Sequence, residues 1–79
     1  MLYKKSVSFK MTYDSEVDAA YIYIYEAAPS GVDRTVTVED DNLAESVFVD
    51  IGKNSELIGL EVLDASTILS KDILDKIKQ

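Results

Sequence analysis

The stretch Met11-Thr12-Tyr13-Asp14-Ser15-Glu16-Val17-Asp18-Ala19-Ala20-Tyr21-Ile22-Tyr23-Ile24-Tyr25 decides the fold. Val7, Phe9, Met11 and Tyr13 alternate with Ser8, Lys10 and Thr12, the two-residue period of a strand with one buried face. Asp14 to Asp18 then brings polar, turn-prone side chains together, and Ala19 to Tyr25 returns to strand-forming Ile and Tyr. In this second strand Ala20, Ile22 and Ile24 share one face, while Tyr21, Tyr23 and Tyr25 share the other.

The same reading extends downstream. Ala27-Ala28-Pro29-Ser30-Gly31 is a loop, because proline and glycine this close cannot continue a central strand. A third strand is expected over 32–39, with Val36 and Val38 inward, and the acidic turn Glu39-Asp40-Asp41-Asn42 ends it. A fourth runs over 45–51, burying Val47, Val49 and Ile51 with Phe48 on the opposite side. Gly52-Lys53-Asn54-Ser55 closes a hairpin into a fifth strand over 57–63, where Ile58, Leu60 and Val62 line the core. After Asp64-Ala65-Ser66 the period changes: Leu69, Ile73 and Ile77 recur every four residues, an amphipathic helix capped by Asp64 or Ser66. The expected architecture is α+β: a single domain over 1–79, with one antiparallel meander of about five strands and one C-terminal helix.

Composition narrows the chemistry. The chain has no His and no Cys, so Cys/His zinc sites, thiol nucleophiles and serine–histidine triads are excluded. The formal net charge of −7 speaks against direct binding to nucleic acid or anionic lipid, whose phosphates need clustered Lys and Arg. Residues 11–70 hold 13 acidic and 2 basic side chains, so the acidity sits in the middle of the chain. No apolar run has the length of a signal-peptide core or a membrane span, which reads as a soluble cytoplasmic protein. A domain this short buries only about 60 % of its unfolded surface, and no disulfide reinforces it, so association with a copy or partner is expected.

Tyr13-Asp14-x-Glu16-x-Asp18-Ala19-Ala20-Tyr21-Ile22, with Val49-Asp50 and Leu57-Ile58-Gly59-Leu60-Glu61-Val62-Leu63-Asp64-Ala65-Ser66 downstream, resembles the YuzE-like small bacterial proteins, domain of unknown function 2283. Their usual pattern opens Tyr-Asp-x-Glu-x-Asp-Ala-Leu-Tyr-Ile and closes Val-Gly-Ile-Glu-Ile-Leu-Asp-Ala-Ser. The chain departs from it at Ala20, where Leu is common, and at 52–55, where an acidic turn with a later Gly is usual. The resemblance implies a compact β-rich domain without an established activity, and an antitoxin-like role beside a toxin-like neighbour.

Three groups of residues are candidates for a site. Asp14, Glu16 and Asp18 alternate like the first ligands of a calcium loop, yet Ala19 and Tyr25 stand where an EF-hand needs Gly and Glu, so neither a metal nor another cofactor is expected. Glu39, Asp40 and Asp41, with Asp50, form an acidic patch suited to a basic protein partner. Tyr21, Tyr23 and Tyr25, with Phe48, lie on the strand face opposite the Ile22/Ile24 face; a single helix cannot cover both, so these four are expected to form the interface with a partner or a second copy. Gly59 marks a bulge or the close approach of a crossing Tyr. The leading expectation is a non-enzymatic interaction module that forms a homodimer or binds a small basic protein. The alternative is a small metal-binding or hydrolytic protein using the carboxylates.

Overall fold

The computed structural model describes residues 2–24 and 31–77. Five strands, β1 (Lys10–Asp14), β2 (Ala19–Tyr23), β3 (Arg34–Thr37), β4 (Val47–Ile51) and β5 (Leu57–Leu63), precede two short helices, α1 (Ala65–Ile68) and α2 (Lys71–Ile77). The strands form one open antiparallel sheet in the order β1-β2-β5-β4-β3. The α+β class and the five strands are as the alternation predicts. The order is not that of a simple meander, because β5 returns from the β3-β4-β5 run to pair with β2. β5 is the longest strand and holds buried Ile58 and Val62, which suits the centre of the sheet.

β5 spans its expected 57–63, and the other strands are shorter than their apolar patterns. β1 begins at Lys10, where its ladder with β2 begins opposite Tyr23, so Val7 and Phe9 lie beyond the paired region. The loop over 27–30 lies outside the described residues. β3 is exposed throughout, correcting the inward assignment of Val36: that side chain shares a face with Val49, but at the sheet edge it stays 41 % exposed. The β4–β5 hairpin forms as expected, with the Gly52 N–H donating to the Glu56 carbonyl and the Ser55 N–H to the Gly52 carbonyl.

Directly paired residues share a face, so the register divides the sheet. Met11, Ile22, Leu60, Val49 and Val36 make one row, and Tyr13, Ala20, Val62 and Val47 lie beside it on the same face. α1 packs on this face, where Ala20, Val62 and Ala65 form a buried cluster flanked by Met11, Tyr13, Ile68 and Leu69.

The single helix of the sequence reading is two. α1 starts at Ala65, close to the expected Ser66, but Leu69 turns extended at ψ 150° and ends it after one turn. Ser70 then starts α2, its Oγ accepting from the Ile73 N–H and its carbonyl from the Leu74 N–H. No helix of the described residues is long and apolar enough to cross a membrane.

Candidate functional site

The face opposite the helices carries Thr12, Tyr21, Glu61, Phe48 and Thr37 in one row and Lys10, Tyr23, Gly59, Asp50 and Thr35 in the next. Tyr21, Tyr23 and Phe48 therefore do share a surface, as the alternation predicts; Tyr25 lies outside the described residues. The aromatics are half-buried and interleaved with polar side chains, so this is a mixed platform rather than a continuous apolar patch. The Tyr21 and Tyr23 rings lie 4.7 Å apart, tilted by 57°, and Lys10 Nζ sits 5.4 Å above the Tyr23 ring.

Tyr21 is fixed from two sides. Its ring passes over Gly59, where an added Cβ would stand 2.6 Å from both the ring edge and the hydroxyl oxygen. That close approach lets the hydroxyl cross β5 and donate to Asp50 Oδ2 on β4 at 2.6 Å. Thr35 Oγ1 on β3 donates to the other oxygen, Asp50 Oδ1, at 2.7 Å. The Asp50 carboxylate, only 7 % exposed, is thus satisfied by hydroxyls from both sides and ties three strands together. Burial, followed by the hydrogen bond and the charge of Asp50, raises the Tyr21 pKa well above its usual 10.0. The ladder shifts register at Asp50 and Ile51, so the Gly59 region combines a bulge with the crossing tyrosine.

Asp50 consequently does not join Glu39, Asp40 and Asp41 in one patch. Those three are exposed in the β3–β4 turn, where the Asp40 carbonyl accepts from the Leu43 and Ala44 N–H groups and its Oδ1 from the Asn42 N–H. Asp50 points from mid-strand onto the tyrosine face because β4 alternates and places it two residues after Phe48.

The Asp14 to Asp18 turn has a role that local spacing did not disclose. Asp14 Oδ1 accepts from the Glu16 N–H and holds the turn. Asp18, at φ 52°, accepts the Tyr13 hydroxyl at 2.8 Å and the Ser66 N–H at 3.0 Å on Oδ1, and the Ser66 hydroxyl at 2.6 Å on Oδ2. Its carbonyl accepts the Ala65 N–H at 2.9 Å. The cap of α1 therefore comes from a turn 48 residues away, and Asp64, the expected cap, sits in the left-handed region without a side-chain cap bond. The hydrogen bond to Asp18, then burial, raises the Tyr13 pKa. Among the described residues no three carboxylates cluster as a cation site would require.

The register also sorts charge along the strands. Asp14, Glu16, Asp18, Glu39, Asp40, Asp41, Glu45 and Asp64 all lie at the end of the sheet where β1 and β3 finish. Lys10, Arg34 and Lys53 lie at the opposite end, with Asp33 and Glu56 beside them. The acidic end adjoins Phe48, which pairs with Thr37 two residues before Glu39.

A small open antiparallel sheet, with helices on one face and an aromatic platform with an acidic end on the other, defines an α+β domain. The model of the family described as protein of unknown function (DUF2283) matches residues 10–66, and the chain belongs to that family. No curated protein and no solved structure matches. The matched segment runs from the first residue of β1 to Ser66, so it includes both sides of the Asp18–Ser66 contact and both sides of the Tyr21–Asp50 contact.

Proposed function

We propose that the protein is a non-enzymatic interaction module that binds a cationic protein partner on the helix-free face of its sheet. The observation that carries this reading is the position of Tyr21 and Phe48 on either side of Glu61, in the row nearer the acidic end formed by the 14–18 and 39–41 turns, with the Tyr23 ring 4.7 Å from that of Tyr21 and one row further toward Lys10. Aromatic faces attract Arg and Lys through the ring quadrupole, and Lys10 over Tyr23 is an internal example of the contact. A convergence of acidic side chains speeds encounter with a basic surface and selects against acidic ones. Tyr21 is held by Gly59 and Asp50 before any partner arrives, which lowers the ordering cost of binding.

The carboxylate-based alternative has less support. Asp14 and Asp18 are engaged by backbone and side-chain donors of the fold, and Asp50 is occupied by two hydroxyls.

Calorimetry with a hexa-arginine peptide tests the proposal. Wild type should bind it, and Tyr23→Lys, which replaces a platform ring with a second cation beside Lys10, should weaken binding about tenfold, the equivalent of roughly 1.4 kcal/mol. Equal affinity of wild type and Tyr23→Lys would contradict the platform.

A further inference from the structure

The geometry points to a homodimer formed by antiparallel pairing of β1 with β1 of a second copy, about a two-fold axis normal to the sheet at Thr12. β1 is an end strand of the sheet, and among the described residues no strand pairs with its outer side. Such an edge offers a row of backbone donors and acceptors to another chain. Apolar side chains along the same edge are left unfinished: Val7 is 68 % and Phe9 53 % exposed, and on α2 Ile73, which lines an open depression with Met11 and Tyr13, is 37 % exposed.

Charge selects the occupant and the register. Directly opposed residues of an antiparallel pair share a face, so a two-fold normal to the sheet must pass through a residue. Centred on Thr12, it sets Lys10 opposite Asp14 of the copy, twice over, and Met11 opposite Tyr13. Centred on Met11, it opposes no unlike charges within β1. The basic arm bearing Lys4 and Lys5 then runs beside the copy's acidic 14–18 turn, basic end against acidic end. The other free edge, β3, is a poorer match: centring on Val36 opposes Asp33 to Glu39, centring on Thr35 pairs no charges, and centring on Thr37 sets Arg34 opposite Asp40 but also Asp33 opposite Asp41, both beyond the strand. With the axis normal to the sheet both α2 helices stand on one face, so Ile73 of each lies toward the joint. The joint shares Lys10 with the edge of the tyrosine platform but uses neither Tyr21 nor Phe48, so either surface can fail without the other.

The test is charge complementation read by sedimentation velocity at high micromolar concentration, with circular dichroism confirming that each variant folds. Wild type should sediment as a dimer of the 8.8 kDa chain. Lys10→Glu alone opposes Glu to Asp14, and Asp14→Lys alone opposes Lys to Lys10, so each should become monomeric. An equimolar mixture restores two unlike pairs and should dimerise. Phe48→Lys, on the platform but separated from β1 by β2 and β5, should leave the dimer intact. A monomeric wild type, variants that dimerise alone as well as wild type does, or a mixture that stays monomeric would each overturn the proposal.

Discussion

The Tyr21 hydroxyl reaches Asp50 at 2.6 Å because the ring lies directly over residue 59, which has no side chain. One glycine on β5 thus lets a tyrosine from β2 satisfy a buried carboxylate on β4. The contact gives the aromatic platform its shape and supplies the buried Asp50 Oδ2 with a donor, as Thr35 does for Oδ1.

Gly59→Ala should therefore destabilise the fold by about 2–3 kcal/mol, since the new Cβ meets both the Tyr21 ring and the Ile22 carbonyl oxygen and displaces the hydroxyl from Asp50. Tyr21→Phe, which removes only the donor, should cost about 1–2 kcal/mol. Urea denaturation gives both values; a Gly59→Ala variant no less stable than Tyr21→Phe would show that the close approach is not tight.

The Asp18–Ser66 contact fastens the first hairpin to α1. Asp18→Ala should cost about 1–2 kcal/mol, and Asp18→Ala and Ser66→Ala should be non-additive by at least about 0.5 kcal/mol in a double-mutant cycle. Additive losses would mean that the two side chains stabilise the protein independently.

Alkaline pH should unfold the protein through its tyrosines. Tyr13 and Tyr21 have folded pKa values raised above 10.0, so as pH rises past 10 the unfolded chain ionises first and binds fewer protons than the native state. Their contribution is complete below pH 10 and is lost progressively above it. Denaturation midpoints measured from pH 8 to 11.5 should fall above pH 10, and Tyr21→Phe should fall less steeply; parallel profiles would argue against the Tyr21 contribution.

Ser55 occupies the hairpin at φ 63°, a left-handed conformation that costs a side chain but not glycine. Ser55→Gly should raise stability by roughly 0.5 kcal/mol in thermal melts. A lower melting temperature would indicate that the contact from Arg34 Nη2 to Ser55 Oγ outweighs the relief.

The strands were legible because Met11 to Tyr25 and Leu57 to Leu63 alternate cleanly, and the face of Phe48 followed from its parity with Val47 and Val49. The crossing tyrosine was legible in outline, since a glycine between Ile58 and Leu60 asks for a reason. Strand order was not, because the pairing of β2 with β5 is made by residues far apart in sequence. The function of Asp18 was hidden for the same reason: spacing shows a polar turn, while its partner Ser66 sits on another element. The break at Leu69 escaped because an apolar four-residue period persists across Ser70 even though the backbone does not.

The central claim, a cation-binding platform on the helix-free face, is tested most directly by mapping amide chemical-shift changes as a hexa-arginine peptide is titrated into the protein. The account predicts that shifts cluster at Tyr21, Tyr23, Phe48 and Glu61 and extend to the 39–41 turn. Shifts confined to the acidic turns, with those four residues unmoved, would contradict it.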